Sequence, residues 1–209
     1  MVVTGAAMLW VGWFGFNAGS SWAADGLAGM AMLVTHISAA TAALTWMAIE
    51  WIKGGKPTIV GIATGMVAGL ATITPAAGSV GPEGALLIGL MAGSICFYAT
   101  QLVKGVFGID DSLDVFPVHG VGGIIGIIMV SFVGLQGGFL GSSAGETWIP
   151  TEQLMIQLKG IVVIGSWTAL ASWAILKLIG MITPLRVSEE DELQGLDVTE
   201  HEERSYDLS

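Results

Sequence analysis

The sequence predicts an all-α polytopic membrane protein, with six transmembrane helices followed by a polar tail. Three observations carry that prediction. Only 11% of the 209 residues are charged and 53% are apolar, whereas soluble domains carry about a quarter charged residues. The apolar residues fall into six runs near the roughly 20 helical residues that span a bilayer's hydrocarbon. The basic residues sit in alternate connections between those runs.

The six runs are 2–18, 27–52, 57–73, 84–103, 115–134 and 152–182. The first is short and opens abruptly, in the manner of a truncated start. Lys53 and Lys56 lie between the second and third runs, Lys104 follows the fourth, and Lys177 and Arg186 flank the end of the sixth. The other connections, 19–26, 74–83 and 135–151, hold Asp25, Glu83 and Glu146 and neither Lys nor Arg. Alternating crossings therefore collect the basic connections on one side. By the positive-inside rule this side is the cytoplasm, which makes the C-terminus cytoplasmic. Lys159, near the outer end of the sixth run, would snorkel outward.

The 31 glycines sit largely within apolar runs. Gly61, Gly65 and Gly69, then Gly89 and Gly93, then Gly122 and Gly126, repeat at four-residue spacing. This G-x-x-x-G pattern lets helix backbones approach closely, and we expect it to pack helices within one subunit.

Hydropathy collapses after Thr183, dividing the chain into a transmembrane domain, 1–182, and an acidic tail, 183–209. Nine of the 17 acidic residues lie in that tail. It reads either as a solvated end or, through Leu193, Leu196, Val198 and Tyr206, as a segment docked under the membrane domain. No basic surface suggests nucleic acid. The single Cys96 permits no disulfide framework, and nothing implies a cofactor or a metal.

His201 belongs to the solvated tail. His36 has Thr35 and Ser38 as neighbours and reads as a structural, hydrogen-bonded histidine. His119 is different, because an ionisable residue inside a span usually faces a cavity or pathway. At α-helical spacing it shares a face with Val115, Gly122, Gly123 and Gly126. Asp110, Asp111 and Asp114 precede this helix, where carboxylates cap orphan N–H groups, and Pro117 suits the first turn.

In the first run Trp13, Phe16 and Ser20 share one face. They read as an interfacial aromatic belt or as a cation–π recruitment site beside a hydroxyl. Two other readings carry little weight. Gly141-Ser142-Ser143-Ala144-Gly145 matches G-x-S-x-G, but a nucleophile elbow needs a strand-to-helix turn. His36 and His119 as haem ligands would enter from opposite sides.

The stretches 8–20 (MLWVGWFGFNAGS) and 110–126 (DDSLDVFPVHGVGGIIG) resemble signature segments of the ammonium transporter (Amt/Rh) family. The stretches 73–89 and 195–206 agree. The resemblance implies an eleven-helix fold of two inverted five-helix repeats plus a long last helix, with this chain matching helices six to eleven. It implies transport rather than enzymatic activity, in the plasma or inner membrane. It also implies a homotrimer and a PII-type signalling protein that closes the pore from inside. His119 then matches the second of two pore histidines, Phe16 one of two stacked phenyl rings, and Trp13 a pore aromatic. Ser20 matches the recruitment hydroxyl, Val115 an apolar pore-lining position and Thr199 a modification point. The partners of these groups belong to the first repeat, so the chain reads as half a pore wall, either incomplete or dependent on another chain. A transporter-like ammonium sensor with a signalling role is the alternative.

Overall fold

The computed structural model describes residues 1–134 and 150–204. Its helices are α1 (Val2–Gly19), α2 (Gly26–Gly54), α3 (Ile59–Ile73), α4 (Pro82–Val106), α5 (Phe116–Val133), α6 (Pro150–Gly180), α7 (Glu189–Gln194) and α8 (Leu196–Thr199). Five of them, α1, α2, α4, α5 and α6, are long and apolar enough to cross a membrane. The expected third crossing is α3, whose 15 residues extend about 22 Å at the α-helical rise. It is also the most enclosed helix, with Gly65, Ala68, Gly69, Leu70 and Ile73 among its buried residues.

Local chemistry sets the helix ends. The Asp25 carboxylate accepts from the N–H groups of Leu27 and Ala28, each at 3.0 Å, and starts α2. Gly55 stops it in the left-handed conformation, φ 77°, which glycine adopts without a Cβ penalty. The Thr58 hydroxyl accepts from Gly61 N–H at 2.9 Å and starts α3. Proline at the first turn opens α4. An isolated antiparallel bridge joins Val80 to Gly134.

The chain divides into two compact units, Met1–Lys159 and Gly160–Ser209. In the first, α2 is the centre. Its buried residues Ala31, Val34, Thr35, Ser38, Ala42 and Trp46 recur every three or four positions and form one stripe. That stripe is mostly small, and the glycines of α3 and α4 pack on it. A Cβ on Gly69 would lie 2.5 Å from the Ser38 carbonyl oxygen, one on Gly89 2.7 Å from the same oxygen, and one on Gly93 2.7 Å from that of Ala42. Gly126 of α5 meets the Thr72 carbonyl of α3, and Gly61 meets the Glu50 carboxylate. The G-x-x-x-G stripes therefore join helices within this chain. Because lipid tails are as apolar as leucine, such close van der Waals contact, more than solvent exclusion, favours helix association here. The Ser38 hydroxyl adds a bond to the Gly69 carbonyl at 2.9 Å.

In the second unit, α6 residues such as Val163, Ile164, Trp167 and Trp173 are each more than 60% exposed. The tail forms two short helices. Ser188 caps α7 by accepting from Asp191 N–H, and Gly195, at φ 101°, makes the turn into α8. Arg186 pairs with Glu192 at 2.8 Å. Tyr206 and the 141–145 motif lie outside the described residues.

Gly126→Ala is expected to destabilise the protein by about 1–3 kcal/mol, because its methyl group overlaps backbone that has nowhere to move. Gly29→Ala, with open space at the Cβ position, is expected to be neutral or to stabilise by about 0.4–1 kcal/mol. Thermal unfolding of the two variants in detergent should separate in that order.

Candidate functional site

Three of the singled-out side chains meet at one cavity. Trp13 and Phe16 of α1 and His119 of α5 line a space of about 760 Å³, together with Thr74 just past α3. Trp13 and His119 stack, with centroids 6.3 Å apart and planes 15° apart. Phe16 tilts against Trp13 at 6.0 Å. The cavity is open along α1, where Met8, Leu9 and Phe16 are more than half exposed. No Asp, Glu, Lys or Arg among the described residues lines it, and His119 is exposed.

Trp13 is held by a bond from its indole N–H to the Thr74 hydroxyl at 2.7 Å, and that hydroxyl donates in turn to the Leu70 carbonyl at 2.8 Å. One residue type thus fixes the indole plane that faces His119. Asn17 anchors α1 by donating to the buried Thr35 hydroxyl at 2.9 Å.

A second, smaller recess of about 160 Å³ adjoins, lined by Asn17, Ser20 and Ser21 among others. Phe16 and Thr74 border both spaces. The Ser20 hydroxyl donates to the Phe16 carbonyl at 2.6 Å. Its proton is therefore committed, and its lone pairs remain to accept from a donor in the recess.

His119 stands in a π-helical turn, Phe116–Val121, that opens α5. Such i→i+5 turns are rare and frequent at functional sites. The wider turn changes the face expected from α-helical spacing. Gly122 and Gly126 are buried against Thr72 of α3, not beside the histidine, and Val115 lies outside the cavity lining. The three aspartates also divide. Asp111 caps the turn, accepting from Val115 and Phe116 N–H at 2.9 and 2.8 Å. Asp114 instead pairs with Lys104 at 2.8 Å and adopts a left-handed backbone, φ 56°. Asp110 lies upstream in the same connection. An ion pair as exposed as that of Lys104 contributes only about 0–1 kcal/mol.

His36 departs from expectation. Thr35 and Ser38 donate to the Ala31 and Gly69 carbonyls, so neither hydroxyl donates to it. It lies exposed on α2 against Trp10 and Phe14 of α1, at centroid distances of 5.1 and 6.1 Å. Among the described residues no three His, Cys, Asp or Glu side chains gather as a metal site would.

A model described as the Ammonium Transporter Family matches residues 1–206. The chain belongs to the ammonium transporter family. The ammonium transporter of Aquifex aeolicus (strain VF5) is 43% identical over 208 residues, covering 100% of this chain and 48% of that protein. Ammonium transporter Amt1 of Archaeoglobus fulgidus is 42% identical, covering 99% and 52%. A solved structure described as a sensor Amt protein superposes with a TM-score of 0.84 at 30% identity, covering 95% of this chain and 48% of that one. Saccharomyces cerevisiae Mep2 gives 0.76 at 36%, covering 86% and 44%. The chain spans about half the length of the curated relatives it matches.

In this ammonium transporter chain, sequence reasoning missed Thr74 and the Lys104–Asp114 pair. Thr74 had a signal, as a hydroxyl directly after the apolar α3. Lys104 stood out as a marker of sidedness and as a partner for the acidic residues of 189–192 or 200–203 in the tail, whereas it pairs with Asp114. Thr74→Val keeps the shape but leaves the Trp13 indole N–H unpaired, at a cost of about 1–3 kcal/mol. Thr74→Ser should retain most of that stability, and the two unfolding midpoints measure the difference.

Proposed function

We propose that the intact protein carrying this chain conducts ammonium or ammonia across a plasma or inner membrane, with this chain forming one wall of the pore. The observation that carries the reading is the shared lining of one apolar cavity by Trp13, Phe16, Thr74 and His119, next to a hydroxyl recess across Phe16. The names of these two curated relatives, both ammonium transporters, support transport over the sensor alternative.

The chemistry follows from the linings. The Ser20 oxygen accepts an N–H of NH4+, and the aromatic faces of Phe16 and Trp13 attract the partly dehydrated cation. Beyond Phe16 a bare cation is costly, since transferring charge into an apolar, water-poor space is unfavourable. A neutral imidazole at His119 hydrogen-bonds ammonia or relays a proton, and Val115 continues the apolar path. Six crossings bring the basic connections and the tail to the cytoplasm, in a homotrimer whose subunits each hold a pore. Methylammonium uptake by the intact protein is expected to fall at least roughly ten-fold in His119→Ala and in Phe16→Ala, about the size of one lost positioned group. Parental uptake in both would end this assignment.

The tail is proposed as a regulatory segment that a PII-type protein uses to close the pore from inside. Support comes from its local order, with Gly195 turning α7 into α8. The Thr199 hydroxyl lies against the Gly195 carbonyl at 3.3 Å. A phosphate at Thr199 would break that contact and repel Glu200. Deleting 195–209 is expected to abolish the response of uptake to nitrogen status at matched membrane abundance. A fully preserved response would reduce the tail to a solvated end.

A further inference from the structure

We propose that Lys104 and Asp114 form a strut that sets the rotation of the His119 turn, making both positioning residues for the pore. The inference rests on the conduction reading for its functional consequence and on geometry for its structural content. Lys104 reaches back across the connection between α4 and α5 at two points. Its ammonium group meets the Asp114 carboxylate at 2.8 Å and the Ser112 carbonyl at 3.4 Å.

Asp114 stands two residues before α5, at φ 56°. A residue with a side chain keeps a left-handed backbone only where its surroundings over-determine it, and such sites concentrate where geometry serves function. The surroundings here are specific. The Asp114 carbonyl accepts Val118 N–H at 3.0 Å, the bond immediately before His119. Asp111 holds the N–H groups of Val115 and Phe116 from outside the helix. Asp111 alone would fix where the helix starts, whatever its rotation. Lys104 ties the side chain of the residue that sets this rotation to a different helix.

Rotation matters because successive residues of a helix step about 100° around its axis. A slip of one residue at Asp114 would carry His119 off the cavity, where it stacks with Trp13 at 6.3 Å. The opposite face of α5 is already committed, since Gly126 has no space against the Thr72 carbonyl. The strut therefore acts on the π-helical turn, upstream of that fixed contact. The pair itself is partly exposed, at 41% and 19% of the two side chains. Its removal should therefore change the position of the imidazole more than the stability of the fold.

Four variants of the intact protein test this in bilayers with ring-labelled histidine. His119→Gln identifies the His119 signal by its loss. Asp114→Asn keeps shape and the tolerance for a left-handed backbone while removing the charge. Lys104→Met keeps length, and Lys104→Arg keeps charge. Asp114→Asn and Lys104→Met are expected to shift the His119 imidazole resonances. They should also lower maximal methylammonium uptake about ten-fold, the scale of a small misplacement of a working group. KM should stay near the parental value because the Ser20 recess is untouched. Lys104→Arg should restore both readouts, which separates positioning from simple failure to fold. Unmoved resonances in Asp114→Asn, or a Lys104→Arg protein that behaves like Lys104→Met, would overturn the proposal. Shifted resonances in a parent that transports nothing would instead refute the conduction reading and leave the strut standing.

Discussion

The packing of α3, α4 and α5 in the first unit depends on glycines meeting neighbouring backbone. Gly69 and Gly89 approach the same Ser38 carbonyl from two helices, and Gly93 approaches that of Ala42 one turn on. In a lipid surrounding, apolar side chains gain little by leaving one apolar medium for another. Stability must come from contact density and from the few internal hydrogen bonds, such as Ser38 to Gly69. Glycine increases the first and brings carbonyls within reach of the second. The stripe on α2 has no freedom to become larger, because every addition would push α3 and α4 outward together.

That tight packing is also what leaves space for the cavity. With Gly122 and Gly126 pressed against Thr72, α5 is held to α3 on one face and turns His119 away on the other. Thr74, two residues on at the end of the same helix, holds Trp13 opposite. A single stretch of chain, Thr72 to Thr74, thus positions both rings. Trp13 and Thr74 in the wall are engaged with protein at their donors, and the rest of the lining is mostly apolar. Such a wall suits a small neutral solute better than an ion, and the ion-compatible group, Ser20, lies on the other side of Phe16.

The open side of the cavity, along Met8, Leu9 and Phe16, is consistent with a chain that spans about half the length of its curated relatives. The two stacked rings of Trp13 and His119 form a coherent face, so the geometry of this wall is set within the chain.

Composition and periodicity alone determined the helical class, the membrane setting and, to within a few residues, most helix bounds, because hydropathy over 18 or more residues is a local property. The glycine spacing likewise foretold close packing, and Asp111 as a cap was readable from its distance to α5. Tertiary structure decided the rest. The π-helical turn at His119 removed the face that α-helical spacing assigned to it. Asp114 was not a cap but half of an ion pair ten residues long in sequence terms, visible only once the connection folded back. His36 lost its presumed hydroxyl partners because Thr35 and Ser38 had carbonyls closer to hand. Thr74 gained its role from Trp13, 61 residues away in the chain. Each of these depends on which groups meet through space, and no local pattern of residues encodes that.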